Sequence, residues 1–156
     1  MKTLCADIGN FSVLTAVVGN KPASINKMRS LIVDVTYKGD VRDGLTADDS
    51  PLVEVKGKFF KLGRQAGRQP NCLSAAEAGK NQAEIFLPML LANTPDGFEG
   101  SVSMLVPAWD KSAETWIRTA ILGTHEYSVN KRTRIASFTD IEFHRESDTA
   151  LHYAYI

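Results

Sequence analysis

The feature that most constrains this chain is a succession of short β-like runs joined by tight turns. Residues 3–8 form an apolar run closed by Gly9-Asn10, and residues 12–18 form a second, rich in Val, Leu and Thr. Two such runs across a short Gly/Asn turn make a hairpin. The pattern recurs at residues 52–55 and 58–62 around Lys56-Gly57, and at 126–129 and 132–138 around Asn130-Lys131. Residues 30–37 and 101–106 add two more strands, and 141–144 extends the last strand or begins another. Two stretches have helical periodicity instead. One spans 74–93, where Pro88 should kink the helix or start a new turn. The other runs from Asp110, a capping residue, to Gly123, with Ala113, Trp116, Ile117, Ala120 and Ile121 on one face. Residues 148–156 have the spacing of a terminal helix. Stretches 38–50 and 63–73 are expected to be a polar loop and an irregular segment. The sum is an α/β class with a mixed sheet, antiparallel hairpins at the front and flanking helices.

The totals agree with one domain, 1–156, large enough to bury a core. Apolar residues make up 44% and charged residues 23%, which excludes a disordered or collagen-like chain. Lys+Arg and Asp+Glu both number 18, so no net charge draws the chain to nucleic acid or an anionic membrane. No run approaches the roughly 18 apolar residues of a membrane span. Cys5 and Cys72 lack metal or redox spacing. The expectation is a cytoplasmic protein.

Asp7-Ile8-Gly9-Asn10-Phe11-Ser12 is the strongest local signal. An Asp at a strand end, followed by a Gly-containing turn, sets a carboxylate beside exposed backbone N–H groups. Such amides bind phosphate, and the carboxylate can hold hydrated Mg²⁺. The same residues are also the usual residues of a plain β-turn. The spacing fits neither a P-loop nor a dinucleotide-binding fingerprint.

Read together with its neighbours, this turn resembles the first phosphate loop of the actin-like ATPases, of the ParM-like plasmid-segregation type. Those proteins open with a strand, a D-x-G turn and a second strand, matched by Asp7 and Gly9. Ser30 matches the Ser of a Pro-Ser pair, with Arg29 in place of the Pro. Residues 53–66 (VEVKGKFFKLGRQA) are similar to the family stretch V-x-V-x-G-K-x-Y-x-V-G-x-x-A. Val106-Pro107 resembles its G-L-P, and Glu146-Ser147-Asp148-Thr149-Ala150-Leu151 its P-E-G-x-G-A-L. The motifs run in family order along nearly the whole chain.

The resemblance implies the N-terminal domain of an actin-like, ribonuclease H-like fold that binds ATP with Mg²⁺ and forms filaments that segregate plasmids. Asp7 would hold Mg²⁺ through water, the backbone of Gly9, Asn10, Phe11 and Ser12 would touch the β-phosphate, and Glu146 would orient the attacking water. The plain alternative for Glu146 is an acidic residue favourable to a helix N-terminus. There are departures. The loop's usual Lys or Gln is absent, since Val13, Leu14 and Thr15 fill that stretch. The family's second phosphate loop and adenosine-binding segment lie in a second domain, which this sequence does not contain. Partners would be further copies or another actin-like protein, with no direct contact to nucleic acid or membrane. A homodimer through the terminal helix (Ala150, Leu151, Tyr153, Ala154, Tyr155, Ile156) is expected if that apolar surface is exposed. Two other readings compete: a stand-alone half-actin that pairs with or regulates an actin-like partner without ATPase activity, and an unrelated α/β domain whose turns mimic the motif.

The remaining candidates have plainer roles. His125, His144 and His152 have no partner at metal-ligand spacing. Arg64, Arg68 and Gln69 lack the interleaved aromatics of a nucleic-acid surface. Trp109 and Trp116 are expected in packing.

Overall fold

A computed structural model describes residues 1–9, 11–19, 24–36, 50–74, 85–106 and 111–145. The strands are β1 (Lys2–Ile8), β2 (Ser12–Val18), β3 (Ile25–Arg29), β4 (Leu31–Asp34), β5 (Leu52–Val55), β6 (Lys58–Leu62), β7 (Leu73–Ser74), β8 (Phe98–Val106), β9 (Gly123–Val129) and β10 (Arg132–Arg145). A 3₁₀ turn covers Ala66–Arg68, and the helices are α1 (Phe86–Leu91) and α2 (Lys111–Ile121). All ten strands form one mixed sheet in the order β3-β2-β1-β8-β10-β9-β5-β6-β4-β7. Pairing is parallel at β1/β8 and β8/β10 and antiparallel elsewhere.

The hairpin turns follow from their residues. Lys56 and Gly57 have φ of 53° and 74°, and Asn130 and Lys131 have 51° and 66°. Positive φ at both central residues defines the type I′ turn, whose twist matches the strands it joins. Asn130 also clamps the next strand. Its Oδ1 accepts the Leu52 amide at 2.9 Å, and its own amide donates to the Leu52 carbonyl at 2.8 Å.

β10 organises the sheet. Arg132–Phe138 pair with β9, and Ala136–Arg145 pair with β8 across a bulge between Phe138 and Asp140. One strand thus belongs to two half-sheets. Phe138, 2% exposed, lies at the junction opposite Gly100 on one side and Gly123 on the other. Its ring packs on Phe98 and His125 at centroid distances of 5.7 and 5.9 Å. The half-sheets also meet elsewhere. β3 and β4 are near opposite ends of the strand order, yet only Ser30 separates them in sequence. Consecutive Cα atoms are about 3.8 Å apart, so the sheet has to fold back until its ends adjoin at Ser30.

The largest core cluster fills that fold. It joins Leu4, Val13, Val102, Met104 and Ile141 of one half to Val53, Val55, Phe60 and Leu62 of the other. All six residues of α1 are buried, as expected for a helix that is apolar all round. A smaller cluster of Val33, Val35, Leu52 and Ala66 forms separately from it.

Several expectations need correction. β3 has no counterpart among the strands expected from the sequence, because INKMR buries only Met28. The strand expected over 30–37 is β4, ending at Asp34. Of the helix expected over 74–93, residues 75–84 lie outside the described residues; Leu73–Ser74 is a strand and Phe86–Leu91 is a helix. Pro88 sits in its first turn, where its missing N–H costs nothing. On α2 the buried stripe is Ala113, Ile117 and Ile121, while Trp116 is 59% exposed. The terminal helix, Trp109 and His152 lie outside the described residues.

Candidate functional site

The Asp7–Ser12 turn closes the β1/β2 hairpin. Ile8 pairs with Val13, and the Gly9 amide donates to the Ser12 carbonyl at 3.0 Å. Strand alternation sends Leu4, Ala6 and Ile8 into the core and leaves Thr3, Cys5 and Asp7 on the other face. The Asp7 carboxylate stands over the turn: a Cβ built on Gly9 would lie 3.7 Å from Asp7 Oδ1 and 3.3 Å from the Ser12 carbonyl oxygen. A side chain here would be tight against the Ser12 carbonyl, with no unusual φ involved. Because its amide is bonded to Ser12, Gly9 contributes space, and an anion would draw on amides further along. Phe11 is 79% exposed, and its carbonyl accepts the Ser30 amide at 3.1 Å. Asn10 and Glu146 lie outside the described residues, so only Asp7, Gly9, Phe11 and Ser12 of the expected set are seen together.

Asp7 is half-buried and makes no hydrogen bond or ion pair with a described residue. Burial pushes its carboxyl above the usual carboxylate range. A carboxylate that is partly desolvated and lacks a cation suits a hydrated metal ion. Among the described residues no three His, Cys, Asp or Glu converge as a self-contained metal site.

The register adds residues that the sequence did not associate with this turn. His144, Leu105, Asp7, Leu14 and Lys27 form one row across β10, β8, β1, β2 and β3. His144 and Lys27 are each two strand spacings from Asp7, about 10 Å between Cα atoms. Arg29 is paired with Ser12 at the turn itself. A cavity of about 340 Å³ opens on this face, lined in part by Cys5, Asp7, Leu14, Ile25, Leu105 and His144. His144 Nε2 lies 3.7 Å from Glu142 Oε2. The turn thus has cations nearby although positions 13–15 supply none, and they come from β3, the strand hidden in the sequence.

No protein-family model and no curated protein matches the chain. Solved structures do. The AlfA filament from the B. subtilis plasmid pLS32 has 18% identity and a TM-score of 0.68, covering 98% of this chain and 59% of its own. Ta0583, an archaeal actin homolog, has 14% identity and a TM-score of 0.67, with 100% and 50% covered. Bacillus thuringiensis ParM with AMPPNP has 13% identity and a TM-score of 0.62, with 91% and 44% covered. The fold is that of the actin-like ATPases, and the chain spans about half the length of these structures. Among the described residues no helix is long and apolar enough to cross a membrane.

Proposed function

We propose that this chain is the N-terminal half of a ParM-like actin-type ATPase, a ribonuclease H-like domain that carries one wall of a nucleotide site. The observation behind this reading is the half-buried Asp7 carboxylate, unpartnered among the described residues, over the Gly9 turn in a sheet with the actin-like fold. Bound Mg²⁺-ATP would supply the phosphoryl group and its counter-ion. The residues present would suit that group: Asp7 would hold the metal through water, and the amides around Phe11 and Ser12 would serve the β-phosphate. Lys27 and Arg29 add positive charge across the sheet. Glu146, which follows β10 in sequence, would orient the attacking water. Filament formation and plasmid segregation are the roles this reading carries, with self-association or an actin-like partner as the contact.

Phosphoryl transfer depends on positioning and electrostatic stabilisation from both sides of the nucleotide. A domain that supplies one wall of such a site should therefore bind weakly and turn over little on its own. The lack of a cation at Val13, Leu14 and Thr15 favours a second reading: a half-actin that pairs with an actin-like protein through the residues of 148–156 and hydrolyses nothing. Thermal unfolding with and without Mg²⁺-ATP, followed by sedimentation, separates the two. A nucleotide-dependent rise in the melting temperature supports the first reading. No shift, with a stable dimer lost on Leu151→Glu, supports the second.

A further inference from the structure

Ser30 is a buried anomaly next to the turn. It is 0% exposed, and its hydroxyl has no hydrogen-bond partner among the described residues. Its backbone is held on both sides. Arg29 is in register with Ser12, and Leu31 is in register with Ser74 and accepts the Gly63 amide at 2.9 Å. The Ser30 amide donates to the Phe11 carbonyl at 3.1 Å. With the backbone fixed, the side-chain torsion is the freedom left to this residue.

An idle buried hydroxyl is a penalty that alanine would avoid. What offsets it here follows from the peptide unit the serine touches. The Phe11 carbonyl and the Ser12 amide belong to one peptide plane. A carbonyl oxygen has two lone pairs, and the Ser30 amide uses one. A hydroxyl turned onto the second would polarise that peptide further and strengthen the Ser12 N–H as a donor. We propose that Ser30 is a positioning residue for the anion-binding turn, its hydroxyl closing on the Phe11 carbonyl when a phosphate engages the Ser12 amide. This rests on the phosphate-loop reading of Asp7–Ser12. Through Ser30 the one-residue junction between β3 and β4 also couples the far half-sheet to the turn.

Thr15 is the matched control. It is 1% exposed with an idle hydroxyl, but it pairs with Ala6 and Asn26, three residues along β2 from Ser12 and without a hydrogen bond to the turn's backbone among the described residues. The test measures the affinity of the full chain for a fluorescent ATP analogue with Mg²⁺, with melting temperatures alongside, for wild type, Ser30→Ala, Thr15→Ala and Asp7→Ala. The expected result is a Kd weakened roughly tenfold by Ser30→Ala, the worth of about one hydrogen bond. Its melting temperature should be unchanged or raised, and Thr15→Ala should stay within about twofold of wild type in Kd. If wild type binds and Asp7→Ala abolishes binding while Ser30→Ala changes nothing, the role of Ser30 is refuted and the phosphate-loop reading survives. Weaker binding with a lowered melting temperature in Ser30→Ala makes the residue merely structural and also refutes the proposal. If wild type itself binds nothing, both readings fail.

Discussion

Truncating Phe138 to alanine tests whether β10 fuses the two half-sheets into one cooperative unit. The ring is 2% exposed at the bulge where β10 changes partners. Its directly opposed cross-strand neighbours are Gly100 and Gly123, which have no side chain to fill the gap. Burial and cavity terms for Phe→Ala come to about 3–5 kcal/mol. The ring contacts with Phe98 and His125 place the expected loss toward the upper part of that range. Total stability of a domain is about 5–15 kcal/mol, so the variant should remain folded but be badly weakened. With a urea m-value of about 2 kcal/mol/M, a loss of about 4 kcal/mol moves the midpoint down by about 2 M. Urea unfolding followed by far-UV circular dichroism and by Trp fluorescence reads both the shift and the cooperativity. A loss under about 1.5 kcal/mol, or two separate transitions in wild type, would refute the reasoning.

Two further outcomes follow from the same geometry. A Cβ at Gly100 would run into the Lys2 carbonyl of the neighbouring strand and meet the Phe98 ring at 3.2 Å. Backbone cannot yield as a side-chain tip does, so Gly100→Ala should cost about 3 kcal/mol or more; an unchanged urea midpoint would contradict the β1/β8 register. Asp7 has its folded-state pKa raised by burial. Its contribution to stability is fully present below its unfolded pKa and lost as pH rises through the folded value. Asp7→Asn should therefore be more stable than wild type at pH 7, and the gap should close as pH falls to about 4. A gap that is absent at pH 7 or widens on acidification would count against the burial argument.

Much of the fold was legible wherever local chemistry decides it. Lys56-Gly57 and Asn130-Lys131 announce their hairpins because one residue of each pair, Gly57 and Asn130, is of a type that tolerates positive φ. Asp7 and Gly9 stood out for the same local reason. What escaped depends on tertiary context. β3 is held by its pairing with β2 and by one buried Met28, so its sequence carries no alternation. Missing β3 hid Lys27 and Arg29, and with them the charge beside the turn. The two options left for 141–144 resolve into one strand, β10, whose bulge interrupts the alternation between Phe138 and Asp140. Trp116 fits the apolar spacing of α2 but lies beyond the width of the buried stripe.

The central claim is that the Asp7–Ser12 turn is a working phosphate loop. Its most direct test is a calorimetric titration of the chain with Mg²⁺-ATP and Mg²⁺-ADP, repeated on Asp7→Ala. The account predicts saturable heat with wild type that Asp7→Ala abolishes. No heat with wild type at millimolar nucleotide, or equal heat from the two proteins, would contradict it.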